Sequence, residues 1–481
     1  MKKRLLSALL AVSMMLSLFP TSAFADGEPH GGAYSSDVPT ATYDLSKSDL
    51  NGVLTIEATD ANTYSVTKGT NAAETVNASE IIITGTAPSG FALTVDGTDA
   101  AANVTLNNAT VDNTAASGVT TTGKPGIAVS GTVNLTLEGE NALSGGNNCA
   151  GLQKSDDGNT LTITGGGDLS ATGGSGAAGI GGSASTNTGN ITFSGSGMIT
   201  AQGGKSGAGI GGGSSSYNEG NCHDIKIYNG TIKATSGMYA AGIGGGLSYY
   251  GGSCSNVYIY NGNVTATGGY SGIGSSDGNW ASGYNIYISG GAVTATGSTA
   301  GIGGRYSGTI EISDGNVTAT GSNVGIGAYK NAGSITISGG SVKATGTEYV
   351  GIGAAEGDAS NITVSGGSVK VLSSLSGIGS YFGTASVTIK EDAKVAIYRN
   401  DSLTSYVYVG SSKQPTEATE NHTRTLYASS AGLDTGYVYC YQSVTPSIPE
   451  TVTYPDIALP VYSIKVNSTV LNGYTALYGL T

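Results

Sequence analysis

Side chains that could perform acid–base chemistry are few in the central part of this 481-residue chain. Its one histidine there is His223, and its arginines are chiefly Arg305 and Arg399. The acidic residues occupy unrelated positions among the surrounding hydrophobic residues: Asp156, Asp157, Asp224, Asp277, Asp314, Asp358 and Asp392. General acid and base catalysis needs such groups at one site. We therefore interpret the acids as turn-forming and solubilising residues, and His223 as an ordinary exposed histidine.

Aspartates and asparagines at turns could also supply oxygen ligands to calcium. The chain has no Gly-Gly-x-Gly-x-Asp array of the kind that binds calcium in rows. Its acids do not recur at one place in the pattern either. Calcium binding stays open without an assigned residue, and no other cofactor is expected.

Aromatic residues are concentrated between residues 217 and 287, and they include the only tryptophan. They include Tyr217, Tyr249, Tyr250, Trp280 and Tyr284 in loops and Tyr228, Tyr258, Tyr260 and Tyr287 on strands. Pyranose rings have apolar C–H faces that pack on aromatic rings, and tyrosine hydroxyls bond sugar hydroxyls. The predicted carbohydrate-binding residues are Tyr228, Tyr258, Tyr260, Tyr287, Trp280, Tyr249 and Tyr250. The alternative is a tyrosine ladder that only stabilises cross-strand packing.

Two cysteines have matching positions. Cys222 lies three residues before Ile225, and Cys254 lies three residues before Val257. If these segments stack in adjacent coils, the Cα atoms would be about 5 Å apart, which is within disulfide range. The sequence therefore predicts a Cys222–Cys254 disulfide, with two thiols stacked as small apolar side chains as the alternative.

The element that would position all these residues is a recurring Gly-Ile-Gly motif. Its central residues are Ile127, Leu152, Ile180, Ile210, Ile243, Ile273, Ile302, Ile326, Ile352 and Ile378, the first two in degenerate copies. By subtraction, successive separations are 25, 28, 30, 33, 30, 29, 24, 26 and 26 residues. Such a period indicates a solenoid.

Each repeat continues with a loop and two short strands, as in Ser334–Ser338 and Ser341–Gly346. Apolar and polar residues alternate there with the period of two that places one set on one face of a strand. No proline occurs between Pro125 and Pro415, which suits uninterrupted backbone ladders. We predict an all-β fold, a right-handed parallel β-helix of about ten regular coils, because parallel crossovers are overwhelmingly right-handed.

The predicted organisation begins with a signal peptide at 1–25, where basic residues and an apolar stretch precede Ala23-Phe24-Ala25. A flexible leader at 26–50, degenerate first coils and a cap at 51–125, the repeats at 126–398 and a small C-terminal β cap or partial β module at 399–481 follow. Without the signal peptide, 17 basic and 33 acidic residues give a net charge of −16, which disfavours nucleic acid as a partner. No later stretch has the roughly 20 apolar residues of a transmembrane helix.

The pattern Ile-x-Ile-x-Gly-Gly-x-Val-x-Ala-Thr-Gly, followed by Gly-Ile-Gly, resembles the repeat of secreted Gram-positive bacterial proteins described as carbohydrate-binding-domain or pectin-lyase-like β-helix proteins. The resemblance covers roughly residues 50 to 398. It implies an extracellular, cell-surface or polysaccharide-associated role. The repeat is structural, so the resemblance identifies no ligand residue.

We expect a secreted, non-catalytic cell-surface protein that binds polysaccharide or serves as a rigid adhesive stalk. A β-helical polysaccharide lyase or hydrolase acting on a pectin-like substrate is the main alternative. A third alternative is an ice-binding solenoid, suggested by outward threonines at Thr265, Thr267, Thr294, Thr296, Thr318 and Thr320. Lysines at equivalent positions in flanking coils weaken that third alternative: Lys233, Lys343 and Lys370.

Overall fold

The computed structural model describes residues 38–114, 123–154, 158–216, 220–249, 252, 254–278, 284–389, 393–400, 408–411, 437–443, 459–460, 462–466 and 469–474, with side chains up to residue 395. The predicted signal peptide lies outside these residues. In the described part of the chain, no helix is long and apolar enough to cross a membrane.

Successive coils contribute one strand each to three parallel sheets, called here sheets one, two and three. Sheet one holds the Gly-Ile-Gly motifs and contains Val53–Asp60, Leu152–Lys154, Ile180–Gly181, Ile210–Gly211, Ala241–Gly244, Ser271–Gly274, Ala300–Gly304, Val324–Ala328, Val350–Ala354, Ser376–Ser380 and Tyr408–Ser411. Sheet two follows the variable loop and contains Ala41–Asp44, Ile81–Thr86, Thr160–Gly165, Asn190–Phe193, Ile225–Ile227, Asn256–Ile259, Ala332–Ile337, Ala359–Val364 and Ala385–Ile389. Sheet three completes the coil with Glu140–Ser144, Asp168–Thr172, Met198–Gln202, Thr231–Thr235, Asn263–Gly268, Ser341–Gly346, Ser368–Ser373, Lys394–Asn400 and Tyr437–Ser443.

Four longer strands turn a corner and join these sheets. Asn285–Gly297 and Ile310–Gly321 run from sheet two into sheet three, Ile127–Glu138 runs from sheet one into sheet two, and Ala92–Asp112 passes through all three. The architecture is a parallel β-helix, as the sequence predicts.

The core is a set of columns of like residues. In sheet one Ile302 pairs with Ile326, and Ile326 pairs with Ile352, so the isoleucines stack without a shift. One coil buries Ile335 and Ile337 from sheet two and Val342 and Ala344 from sheet three, together with Ile352 from the next motif. Burial stabilises by roughly 1.5–3 kcal/mol for each large aliphatic side chain. Since one coil has few of them, stability depends on stacking.

The corner between sheets two and three repeats one turn. Its second residue is glycine in successive coils and has a positive φ, for example 100° at Gly262 and 76° at Gly340. Residues with a side chain rarely adopt these angles. The Asn-Gly, Asp-Gly and Gly-Gly pairs at this corner therefore supply the glycine that the turn requires.

The fold begins earlier than expected. Residues 38–50, which we expected to form part of a flexible leader, contain the strand Ala41–Asp44, which pairs with Ile81–Thr86, and a 3-10 helix, Ser48–Leu50. Tyr43, Leu45 and Leu50 are buried, and these three apolar side chains explain why the segment folds onto the first coils. Thr63–Lys68 pairs antiparallel with sheet one's first strand, Val53–Asp60, and Glu74–Asn77 pairs antiparallel with Thr63–Lys68.

At the other end, parallel pairing continues beyond residue 398. Tyr408–Ser411 adds to sheet one, and Tyr437–Ser443 adds to sheet three through Lys394–Asn400. Leu459–Pro460 pairs antiparallel with Tyr437–Ser443, and Tyr462–Val466 pairs antiparallel with Thr469–Tyr474. The region 399–481, predicted to be a small β cap or partial β module, therefore contains strands that continue the parallel sheets.

Candidate functional site

Four tyrosines form one cluster, called here the tyrosine tile, on the outer surface of sheet two. Tyr258 pairs in register with Tyr287 of the next coil, and their ring centroids are 5.0 Å apart. Tyr228 and Tyr260 stack in the neighbouring column at 4.6 Å. Tyr258 and Tyr260 lie side by side at 6.2 Å, with ring planes within 5° of parallel. The predicted strand tyrosines therefore come together.

The stacking changes how the tile could meet a sugar. Each ring covers one face of its partner, because the planes of each stacked pair are within 10° of parallel. The rings nevertheless remain accessible, since Tyr228 is 45% exposed and Tyr260 is 39% exposed. The tile is therefore not a flat array of four open ring faces. The tile presents ring edges, hydroxyls and the outer faces of its end members.

Two of the tile's tyrosines, Tyr258 and Tyr260, have surroundings that raise the pKa of the hydroxyl. Burial first, and then the Asp224 carboxylate, raise the pKa of Tyr258, while burial and the neighbouring Tyr228 raise that of Tyr260. The ammonium of Lys226 lies 5.7 Å from the centroid of Tyr258 and 3.7 Å from an Asp224 carboxylate oxygen. Tyr258 and Tyr260 thus offer neutral phenols that donate and accept hydrogen bonds.

The predicted loop aromatics do not all join this surface. Tyr249 is 62% exposed, whereas Tyr250, Trp280 and Tyr217 lie outside the described residues. Tyr284, which the sequence grouped with the loop aromatics, is fully buried. A Cβ atom on Gly274 would approach the Tyr284 ring to 3.0 Å, so this glycine leaves the space that the ring fills.

An asparagine ladder, which the sequence reading missed, borders the tile at the start of the same strands. The Asn256 amide donates to an Asp224 carboxylate oxygen at 2.7 Å, and the Asn285 amide donates to Asn256 Oδ1 at 3.0 Å. The backbone N–H of Asp224 donates to Asn190 Oδ1. The signal was present, because each residue directly precedes the first inward residue of its strand. The ladder fixes the strands that carry the tile.

A second cluster that the sequence reading missed lies just after sheet one, called here the corner strip. Arg305 pairs with Asp277 at 3.4 Å. Glu356 accepts hydrogen bonds from Tyr329 and Lys330. These residues stand two or three positions after the second glycine of successive motifs, so aligning the motifs would have found them. The Lys330 ammonium, followed by Tyr329, lowers the pKa of Glu356.

Aromatic rings extend the corner strip into the next coils. Tyr381 and Phe382 are in edge contact at 4.3 Å, and Tyr349 lies 5.9 Å from Tyr381. Tyr381 packs with Val324, Val350 and Ala355 in a small apolar cluster separate from the main core. The strip therefore covers the outer side of sheet one.

Cys222 and Cys254 are joined by a disulfide, and their Cα atoms are 4.4 Å apart. They pair in adjacent coils, as predicted, and Thr188 occupies the equivalent place one coil earlier. Cys149 is a buried thiol that donates to the Gly123 carbonyl at 2.9 Å. Burial raises the pKa of this thiol.

The described acids of the repeats serve local structure. Asp358 accepts from the backbone and hydroxyl of Thr384, and Asp314 accepts from the N–H of Gly315. His223 is exposed, and its backbone N–H donates to Thr188. Asp156, Asp157 and Asp392 lie outside the described residues. Among the residues that the structure describes, no three His, Cys, Asp or Glu side chains are grouped to hold a metal ion.

Comparison with known proteins identifies the repeat. A family model described as a beta helix repeat matches residues 191–214, 225–247, 257–277, 286–308, 310–329 and 335–357. Each match begins in sheet two and ends at or just after sheet one, so each one spans a coil. A search among curated proteins and a search among solved structures gave no match. The repeat match and the three stacked sheets agree: the chain is a parallel β-helix repeat protein.

Proposed function

We propose that this protein is a secreted, non-catalytic β-helix that binds polysaccharide through the tyrosine tile. The observation that carries the proposal is the grouping of four tyrosines, Tyr228, Tyr258, Tyr260 and Tyr287, on one outer surface. Tyrosine combines an apolar ring with a polar hydroxyl, which matches the alternating surfaces of a sugar.

Rigidity supports binding at this place. The tile is built on in-register strands whose starts are tied by the asparagine ladder, so its side chains need little further ordering. Less ordering leaves more of the contact energy for affinity. The disulfide joins Cys222 and Cys254 in two of the three coils that carry the tile.

Location outside the cytoplasm is part of the proposal. Disulfides persist mainly in oxidising compartments, and the N-terminal sequence has the composition of a signal peptide. We place the protein at a bacterial cell surface. If the tile binds nothing, the stacked coils would serve as a rigid adhesive stalk.

The experiment is a glycan array with the full chain, in the presence and absence of a chelator. We expect retention on at least one polysaccharide, and loss of that retention in a Tyr258→Ser, Tyr260→Ser and Tyr287→Ser triple variant. A matched control carries Thr336→Ser, Thr363→Ser and Thr388→Ser. These threonines lie in later coils of the column that contains Tyr258 and Tyr287. Loss of retention with chelator would add calcium to the site. Retention by the triple variant equal to the parent's would overturn the proposal.

Catalysis is the competing proposal. Reducing-sugar release, or absorbance by unsaturated products, from a panel of pectins would replace the binding role with a lyase or hydrolase role. The same panel with no release and firm retention supports binding.

One observation favours ice binding as a minor second candidate. Thr265, Thr294 and Thr318 stack in register on sheet three, and so do Thr267, Thr296 and Thr320. Lys233 and Lys343 replace threonine directly on either side of the first column. A thermal-hysteresis measurement tests this candidate, and hysteresis that disappears in Thr294→Lys would support it.

A further inference from the structure

The two columns of the tyrosine tile end differently. At one end of its column, Tyr258 meets Lys226, whose ammonium lies 5.7 Å from the ring centroid, and at the other end Tyr287 pairs with Glu311. The column of Tyr228 and Tyr260 instead ends at serines. Ser194 precedes Tyr228 by one coil, and Ser289 follows Tyr260. Serine is short, so it leaves the neighbouring ring face open.

The short side chain of Ser194 leaves a gap in its column between Tyr228 and Thr164, called here the slot. The backbone N–H of Tyr228 bonds the Phe193 carbonyl, which places Tyr228 one coil above Ser194. Thr164 lies one coil below, because the N–H of Ser194 bonds the Ile163 carbonyl. Two coil spacings are about 10 Å. The space between Tyr228 and Thr164, next to the exposed side chain of Ser194, is therefore tall enough for one ring stacked on Tyr228.

The two serine ends of this column differ in what lies beyond them. At the Ser194 end, Gly195 and Gly197 follow in the chain, and Met198 is 46% exposed just beyond them. At the other end Ser289 pairs with Asp314, an exposed acidic residue of the next coil. An open aromatic face, a short serine and an exposed apolar side chain thus occur together only at the Ser194 end.

The charges near the slot do not favour an acidic sugar. The nearest cation of the tile is Lys226, and the Asp224 carboxylate lies 3.7 Å from its ammonium. Asp168 accepts from the Met198 backbone N–H, so it faces the same corner. The whole chain has a net charge of −13, which repels polyanions. These groups suit a neutral hexose better than a uronic acid.

We propose that one neutral pyranose unit of a polysaccharide stacks on the open face of Tyr228 over Ser194. This inference rests on the proposed function and deepens it, since it names the subsite and the class of sugar. Tyr258 and Tyr287 then act as an adjoining surface for the rest of the glycan.

The test extends the tile by one residue. In Ser194→Tyr the new ring is expected to stack under Tyr228, as Tyr228 stacks under Tyr260, and to close the slot while every original tyrosine stays in place. The matched control is Ser338→Tyr, at an exposed serine of the same column whose N–H bonds the preceding coil in the same way. Affinity electrophoresis of the full chain in gels containing a neutral β-glucan, a neutral mannan or polygalacturonate gives the readout.

We expect the parent to be retarded by a neutral glycan more than by polygalacturonate, and Ser194→Tyr to bind about tenfold more weakly. Ser338→Tyr should bind as the parent does. Undiminished binding by Ser194→Tyr, or a preference of the parent for polygalacturonate, overturns this inference while the proposed function stands. A parent that binds no glycan on the array overturns both.

Discussion

Sheet one and the outer surface of sheet two have the same coil spacing but obey different constraints. In sheet one the Gly-Ile-Gly motif returns with little change, and an added Cβ at Gly327 would lie 2.0 Å from the Gly353 carbonyl oxygen. On sheet two, one outward position holds Lys226, Tyr258, Tyr287, Glu311 and Thr336 in five successive coils without loss of the parallel pairing.

The difference shows which positions of a coil can change residue type without disturbing the fold. Close backbone approach dictates the residue type in sheet one, since only glycine fits. Outward positions on sheet two meet solvent and tolerate most strand-forming residues. A cluster of one residue type at such permissive positions is therefore more informative about function than the repeat that made the fold recognisable.

The largest effect is expected from breaking the constraint in sheet one. Gly327→Ala would create a close contact at a φ of 133°, and we expect it to lower the free energy of unfolding by about 3 kcal/mol or more. The control is Gly90→Ala, where φ is 78° but nothing lies within 4 Å of the added Cβ. It should cost about 1 kcal/mol. Denaturant unfolding followed by circular dichroism measures both, and equal losses would contradict the steric account.

Loss of the disulfide is expected to have a comparable effect on stability. Replacing Cys222 and Cys254 by alanine opens a loop whose ends are 32 residues apart, and the chain-entropy model gives a loss of about 3–4 kcal/mol. Reductant should destabilise the parent but leave the double variant unchanged. A parent that is insensitive to reductant, with thiols alkylated in the native state, would show that the two cysteines stack without bonding.

Most of the fold could be predicted from the sequence because the repeat gives each inward residue many equivalents. The alternation around Ile335 and Ile337 and the glycine corners are local signals that recur in coil after coil. Residues 41–50 lack this redundancy: Tyr43, Leu45 and Leu50 are single apolar residues in a polar segment, and their burial depends on the coils above them.

The site was predictable only in part. Register placed Tyr258 beside Tyr287, since both precede an inward isoleucine by one residue. Ring stacking and the burial of Tyr284 depend on side-chain packing, which spacing does not report. The corner strip was missed because its members, such as Arg305 and Glu356, differ in type from coil to coil.

The corner strip, which follows sheet one, extends the comparison: its Tyr329 should titrate at an unusually high pH. The hydrogen bond to Glu356, and then desolvation, raise the pKa of Tyr329 to about 12. Because this pKa is raised in the folded state, neutral Tyr329 stabilises the folded protein. That contribution is fully present below pH 10, the ordinary tyrosine pKa, and is lost as the pH rises towards 12. The phenolate difference spectrum between the parent and Tyr329→Phe should therefore appear above the ordinary range.

In Glu356→Gln the negative charge beside Tyr329 is gone, so the same difference spectrum should move down towards pH 10. Lys330→Gln is the control, because it removes a charge from the strip but keeps the Tyr329–Glu356 hydrogen bond. A Tyr329 titration that is indifferent to Glu356→Gln would contradict the assigned cause.

The smallest effect concerns the tile itself and asks how much its stacking contributes to folding. Thr336 and Thr363 show that threonine suits the outward column, so Tyr258→Thr and Tyr287→Thr should each unfold with little change in cooperativity. A double-mutant cycle isolates the contact between the two rings, which is worth about 0.5–1.5 kcal/mol for a stacked pair. The control cycle pairs Tyr258→Thr with Tyr329→Phe, in the corner strip beyond sheet one, where additivity is expected. Coupling well above this range would make the tile primarily a stabilising ladder, whereas weak coupling leaves ligand contact as the reason for four tyrosines at permissive positions.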